Sequence, residues 1–443
     1  MDHNKPTIMI VSEDPSVHTG LARVTRSIFN RIYTMKKYNL VQVAYAGPGV
    51  EPIRWKLIHT KRDMNGNADI NDRYGQETFE EVLNIYKPNI VFGYADPQVI
   101  RYLGESSLRP LFDLVTYLCV DSEPIHPALG SIFEKSTRVV TFGKWPQQVV
   151  KDSFGVDSVI IPHGIDSDVF KKDINKRKKI RDLIGLSDDQ ILIGTVSQNQ
   201  PRKNLLEALK LLHYLVYGRY ITCNKCNKVT AFKINPVTAE IREAYDRCRH
   251  CNSLDVEEGK PNPSINWYYH GPLKSVNPWH LEMWTCNYKL EKNVIFSKNK
   301  TQSIGLLDIE FTGIYNAIDI FYLPTSAEGF GLPTAEAMAC EVPVVLPNYS
   351  AHVDWAGSGG ILVDYHEMFV PKMQCIRAII DLESSIAAVN TLLCPDYRKE
   401  LGKKGREKIL EFNWDDIAKQ WVDLFDDVLS NQNNALWHKT TEI

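Results

Sequence analysis

Glu328 and Glu336 stand with seven residues between them in PTSAEGFGLPTAEAMAC, Pro324 to Cys340, a passage that also holds two prolines and two glycines. The run IDIFYLPT before it reads as a buried strand, and TAEAMAC reads as the opening of a helix with Thr334 near its start. The two carboxylates therefore flank a strand-to-helix loop. Gly329 and Gly331 permit backbone conformations that bring N–H groups close to a ligand. The helix N-terminus adds partial positive charge, a combination that favours phosphate. A carboxylate aimed at a phosphate would repel it. Glu328 and Glu336 fit better as acceptors for hydroxyls on either side of a diphosphate, one holding a sugar and the other a ribose. The plainer alternative is that Glu336 only favours the first helical turn.

Positive charge for such a diphosphate comes from SQNQPRKN, where Arg202 and Lys203 are adjacent. Two cations there would stabilise the charge that grows as a nucleotide leaves; the alternative is a solvated basic loop. Gly20, in SEDPSVHTGLARVTRS, precedes a helical pattern and would let that helix end approach a phosphate or an acceptor. Asp121 follows the strand-like LVTYLCV, where it either binds or deprotonates an acceptor hydroxyl or caps a helix. His163, in PHGID, either hydrogen-bonds in a cleft or packs at a hinge. No G-x-G-x-x-G occurs, which argues against a nicotinamide or flavin site.

Four of the nine cysteines are paired: Cys223 with Cys226, and Cys248 with Cys251, each as C-x2-C. Twenty-one residues separate the pairs, close to zinc-ribbon spacing. Two such turns facing each other make a closed tetrahedral site, so a structural Zn²⁺ is expected, with its binding supplying the folding energy of a small module. Disulfides or chance are the alternatives. Cys119, Cys286, Cys340, Cys375 and Cys394 are scattered and read as reduced thiols.

The segment EGFGLPTAE resembles the E-x7-E motif of family 4 glycosyltransferases, retaining enzymes of the two-domain GT-B architecture. The likeness extends over Gly313 to Val345 and is most specific there. VIIPHGIDSDVF and GTVSQNQPRKNLLEAL support it, and the cysteine segment lies outside it. The resemblance implies that Glu328 contacts the donor sugar and Glu336 the ribose, with the amides of Phe330, Gly331 and Leu332 facing the diphosphate. It implies a same-face displacement in which the departing phosphate helps deprotonate the acceptor. Lys203 matches the family's lysine, but the arginine expected five residues earlier is Gln198, leaving Arg202 to compensate. The histidine common before the aspartate is Val120 here. No D-x-D pair suited to metal-bound diphosphate falls in a strand-end loop, so no catalytic divalent ion is expected. The donor is then a nucleoside diphosphate sugar. The acceptor stays open among glycan, lipid, protein and modified nucleobase. Two rivals also stay open: a sugar-nucleotide epimerase on the same architecture, and a non-catalytic sugar-nucleotide-binding protein.

Strand-to-helix loops of this kind need parallel sheets to carry them. TIMIVS, YNLVQVAYAG, IVFGY, LFDLVTYLCV and TRVVTFG alternate with helical patterns such as GLARVTRSIFNRIYTM, the rhythm of an α/β sheet covered on both faces. A basic stretch near residues 165 to 188 reads as a solvated helix face at a domain boundary, and ILIGTVS restarts the pattern. The expected organisation is an N-terminal Rossmann-like domain over 1–165 on the acceptor side and a C-terminal Rossmann-like, nucleotide-sugar-binding domain over 166–430. A zinc-ribbon-like insertion covers 219–262 and a polar tail 431–443. Ligands of such sheets bind at the carboxyl ends of the strands. The 443 residues carry a net charge of −3 and are 44% hydrophobic, which gives no general drive toward nucleic acid or membrane. With no long apolar run and no signal-like start, a cytoplasmic protein is expected. Arg23, Arg26, Arg31, Lys36 and Lys37 make the first helix basic. A solvated face is one reading; contact with a membrane surface or a nucleic acid is the other.

Overall fold

In the first domain, apolar runs too short to be anything but strands line up as one parallel sheet. They are β1 (Thr7–Glu13), β2 (Asn39–Tyr45), β3 (Lys56–His59), β4 (Ile90–Ala95), β5 (Asp113–Leu118), β6 (Arg138–Thr141) and β7 (Ser158–Ile160), in the order β3-β2-β1-β4-β5-β6-β7. The computed structural model describes residues 2, 4–49, 51–63, 66–274, 277–297 and 308–431, with backbone alone for 308–310. The tail expected beyond Asn431 lies outside the described residues. Both faces of the sheet are covered, so its strands are apolar throughout rather than alternating. Successive residues of β1 feed different cores: Ile8 and Ile10 point to one, Met9 and Val11 to the other. Helices α1 (Gly20–Thr34), α2 (Gln76–Tyr86), α3 (Pro97–Ile100), α4 (Tyr102–Glu105), α5 (Gly130–Glu134) and α6 (Lys144–Phe154) connect the strands. In α1, Thr19 caps the first turn by accepting from the Ala22 amide, and Val24, Ile28 and Ile32 form the buried stripe.

The basic stretch between domains becomes α7 (Ile174–Ile184). Part of its charge is not solvated, contrary to the sequence reading. Arg181 is 1% exposed and its guanidinium donates to the Asp319 carboxylate at 3.1 Å and to carbonyls of Ser187, Gln190 and Ala317. A buried guanidinium satisfied in this way clamps the helix to the edge of the second sheet.

That sheet begins with β8 (Ile191–Val196), which leads through a single 3-10 turn to α8 (Leu205–Tyr217). An inserted module follows, with β9 (Tyr220–Cys223), β10 (Val229–Ala231), β11 (Lys233–Ile234), β12 (Ile241–Glu243) and β13 (Val256–Glu258). The domain resumes with β14 (Ile265–His270), α9 (Leu281–Asn287), β15 (Val294–Phe296), α10 (Asp308–Ala317), β16 (Ile320–Tyr322), α11 (Leu332–Ala339), β17 (Val344–Pro347) and β18 (Gly360–Val363). A hairpin, β19 (Tyr365–Val370) with β20 (Cys375–Ile380), precedes α12 (Leu382–Leu392), α13 (Pro395–Ile409) and α14 (Trp414–Ser430). The order β15-β14-β8-β16-β17-β18 is parallel throughout. Two parallel α/β domains are thus present, as the sequence pattern predicts.

The sequence pattern predicts a second domain reaching residue 430, but α14 packs on the first domain. Trp421 and Phe425 seat their rings against Phe92, with centroids 5.0 and 6.1 Å away, and Tyr38 on the first domain bonds to Asp426. Of the cations in and just after α1, Arg23 turns inward to pair with Glu336, whereas Arg31 and Lys37 pair at the surface with Asp415 and Asp426 of α14. Arg26 donates to the Pro15 carbonyl at 2.6 Å. Lys36 and Lys37 stay exposed, so the basic face is engaged by the rest of the protein at Arg23, Arg26 and Arg31 and open at its C-terminal end. Among the described residues, no helix is long and apolar enough to cross a membrane.

Candidate active site

The loops after β8 and β16 are neighbours because those strands pair directly. They are stitched together. The Ser326 amide donates to the Arg202 carbonyl at 2.7 Å, and the Arg202 guanidinium donates to the Ala327 carbonyl. Pro201 opens the 3-10 turn and Asn204, with a left-handed φ of 47°, closes it, which points Lys203 inward rather than into solvent. Lys203 and Glu328 are each 6% exposed and form an ion pair, with Arg202 3.2 Å from the same carboxylate oxygen. Burial alone would raise the Glu328 carboxyl, but Lys203 and Arg202 outweigh it and hold the group well below the usual carboxylate range. Burial and the neighbouring Arg202 push Lys203 down to about 8, against the pull of Glu328.

Arg202 also reaches across the interdomain gap, its Nε 3.8 Å from Asp121. Arg377, on β20, donates to both Asp121 oxygens at 3.3 and 3.4 Å. One continuous chain of charge therefore runs Lys203–Glu328–Arg202–Asp121–Arg377, joining the two domains.

Gly331 opens α11 with φ of +92°, and a Cβ there would lie 2.7 Å from Nε2 of His352. Both facts require glycine at this position. Gly20 differs: a Cβ would meet Leu332 at 3.8 Å, an ordinary contact, so the protein's own packing does not demand glycine there. The N-termini of α1 and α11 nevertheless meet at that contact; the Ala22 amide there is capped by the Thr19 hydroxyl, and the Thr334 amide donates to the Gly331 carbonyl. The Phe330 ring turns away, stacked on Trp355 at 5.1 Å and beside His163 at 5.0 Å. Glu336, 3% exposed, is engaged by Arg23 from the first domain and by the Tyr315 hydroxyl at 2.5 Å.

His163 lies in an aromatic cluster at the domain junction rather than on the wall of the gap. Tyr117 gives its hydroxyl proton to the Ile161 carbonyl, so Nδ1–H of His163 donates to the Tyr117 oxygen at 2.6 Å; Nε2 faces the Tyr94 hydroxyl at 3.3 Å. Burial first, then Arg23, lowers its imidazole to about 3, and the ring stays neutral.

Cys223, Cys226, Cys248 and Cys251 bring their sulfurs within 4.8 Å of one another. Two cross-pairs are 3.6 Å apart, far beyond a disulfide and close to the ~3.8 Å edge of a tetrahedron with 2.3 Å metal–sulfur bonds. The donor set suits a closed metal site. The module leaves the C-terminal end of α8 and returns at the start of β14, which puts its attachment at the sheet edge opposite the charged loops. Glu383 on α12 tethers it, accepting from the Ala231 amide at 2.9 Å and from His250 at 3.1 Å.

Sequence reading passed over Arg23 as a binding-loop residue, and over Tyr315, His352 and Arg377. Tyr315 lies within the motif stretch and was available. Arg377 carried no signal, because its partner Asp121 is 256 residues away.

Residues 280–378 match the family model described as glycosyl transferases group 1. A curated relative, the MMP alpha-(1->4)-mannosyltransferase of Mycolicibacterium hassiacum, is 30% identical over 132 residues, and this spans 29% of either chain. Among solved structures, sucrose-phosphate synthase of Thermosynechococcus elongatus superposes with a TM-score of 0.68 at 17% identity, covering 96% of this chain and 99% of that one. HepE of Anabaena, in complex with UDP and glucose, gives 0.67 at 12% identity, covering 95% and 100%. The match to group 1 glycosyl transferases is thus confined to residues 280–378, while over nearly its whole length the chain shares the two-domain GT-B fold of these structures.

Proposed function

We propose that the chain transfers a sugar from a nucleoside diphosphate sugar to an acceptor hydroxyl with retention of anomeric configuration. The observation that carries this reading is the buried cluster of Lys203, Arg202 and Glu328 beside the mouth of α11. A diphosphate arriving there meets two cations and first-turn amides. Both are preorganised for the charge that develops on the leaving phosphate, the effect that contributes most to such reactions. The UDP complex of HepE supports a nucleotide in the corresponding fold. Displaced from its pair with Lys203, Glu328 accepts hydrogen bonds from the donor sugar. Glu336 takes the ribose once Arg23 withdraws.

A retaining glycosidase would need a carboxylate free to attack the anomeric carbon. Glu328 is held by two cations, which weakens it as a nucleophile. The departing phosphate oxygen is the better base for the acceptor proton, with Asp121 positioning the hydroxyl. The four-cysteine set would hold Zn²⁺, which in a closed site supplies folding energy to the module and takes no part in transfer.

A panel of nucleotide sugars, with nucleoside diphosphate release followed by mass spectrometry, tests the reading. Release that depends on added acceptor is expected. A donor isomerised without acceptor would instead establish the epimerase. A donor bound but never turned over would establish the binding protein.

A further inference from the structure

Helix α6 belongs to the first domain, yet the group that caps it belongs to the second. Gly143 stands at its N-cap position and has no side chain to offer. The Trp145 amide donates instead to both carboxylate oxygens of Asp354, at 3.2 and 3.0 Å. A carboxylate suits that place, because first-turn amides lack helical partners and carry partial positive charge. The glycine is required as well: a Cβ at residue 143 would overlap an Asp354 oxygen. The Trp145 ring meets Tyr349 edge-on, with centroids 5.5 Å apart. Ala327, Tyr349 and Ala378 form a small core of their own on the second domain, and Trp145 packs both against it and against the first domain's core.

Asp354 ends the 3-10 turn Ser350–Asp354, and the other end of that turn holds the candidate site. The Glu328 amide donates to the Ser350 hydroxyl at 3.0 Å, and the Ala351 amide donates to the Glu328 carbonyl at 3.4 Å. Ser350 is buried and has a left-handed φ of 56°. A serine seldom takes that conformation, which persists only where its surroundings fix it. His352, in mid-turn, is fully buried beside Gly331. The turn is thus pinned to the first domain at residue 354 and to Glu328 at residue 350.

We propose that this turn is a strut through which docking of α6 sets the position of Glu328, with Asp354 and Ser350 as positioning residues for sugar transfer. The kinetic part of the proposal rests on the transferase reading above. With α6 docked, the backbone around Glu328 is held from two sides, by Arg202 at the Ala327 carbonyl and by Ser350 at the Glu328 amide. With α6 undocked, Asp354 loses its partners and the turn loses one of its two anchors. The Glu328 carboxylate then loses the fixed backbone that aims it. Misplacement by about 1 Å costs on the order of a hundredfold in rate.

The two roles of Asp354, cap and anchor, separate in a pair of variants of the full chain. Asp354→Ala removes both. Adding Gly143→Ser returns a cap to α6 from its own domain, since serine is a preferred N-cap and loss of the Asp354 carboxylate vacates the space its Cβ needs. Hydrogen exchange is read without ligand on peptides covering α6 and residues 325–331. Alongside, kcat is measured with whichever nucleotide sugar is turned over, and UDP and GDP affinity by calorimetry. Asp354→Ala is expected to speed exchange severalfold in both peptides and to lower kcat about ten- to a hundredfold, with nucleotide affinity within about twofold of wild type. The double variant is expected to recover Tm and the protection of α6, but neither the protection of the loop nor kcat. Recovery of all four by the restored cap overturns the inference and leaves Asp354 a helix cap alone. Wild-type exchange of the loop in Asp354→Ala overturns it equally. A chain that turns over no donor, yet shows the loop loosened in both variants, overturns the transferase reading and keeps the strut.

Discussion

Lys203 sits where two demands conflict, since burial disfavours its charge and a diphosphate requires it. Its value of about 8, against an ordinary 10.5, has two consequences of opposite sign. The unfolded chain holds this proton to higher pH than the folded one, so the lysine's contribution to stability rises as pH climbs from about 8. Catalysis runs the other way. We expect kcat/KM, which reports the free protein, to fall above about pH 8, and kcat to hold to higher pH because a bound diphosphate restores the lysine's proton affinity. A pH–rate series on wild type and Lys203→Arg checks this, with the alkaline limb moving upward in the variant. Lys203→Ala should lower kcat by about 10²–10³-fold, the loss typical of one electrostatic donor. This residue and Glu328 were legible in the sequence because the glycine-rich loop and its cations each suggest a diphosphate unaided. The Arg23–Glu336 pair was not, because periodicity marks Arg23 as a polar residue of α1 and says nothing about what faces it.

At the scale of elements, α1 and α11 meet end to end, and the Arg23–Glu336 pair spans the junction. That pair occupies the carboxylate proposed for the ribose. Arg23→Met should therefore tighten donor binding by about three- to tenfold, the gain expected when a competing conformation is removed. Calorimetric titration of the donor reads it directly, and weaker binding would show that Arg23 grips the donor instead. The four-cysteine module offers a second test at this scale. Stripping metal with a chelator should release about one equivalent and detach a low-temperature step from the melting curve, since so small a unit lacks a core of its own. The C-x2-C spacing made this module visible in sequence. Its tether to Glu383 was invisible, because β10 and α12, about 150 residues apart in sequence, meet only in the fold.

For the whole molecule, the alternation of strands and helices was enough to give two parallel sheets and to place the loops at their carboxyl edges. Neither composition nor periodicity could say which sheet the last helix would cover. An amphipathic stripe such as Trp414, Ile417, Trp421, Leu424, Phe425 and Val428 fits any apolar face. The outcome matters for stability. Deleting residues after 413 would expose Phe29, Phe92 and Tyr117 on the first domain, and we expect the truncated chain to aggregate, with soluble yield and light scattering as the readout. His163 belongs to this scale as well, because its ring nitrogens tie Tyr94 and Tyr117 beneath the same helix.

The backbone passes between the domains twice, and the two passages lie side by side: Ile165 pairs in parallel with Asn413, and its amide donates to the Phe412 carbonyl at 2.7 Å. Two bodies joined along a line rather than at a point have one easy rotation and resist twisting about any other axis. Any opening about that line would part Glu336 from Arg23 and Arg377 from Asp121 together. Substrate entry and release then share one trajectory, and a staple placed far from the chemistry, along that line, would stop both.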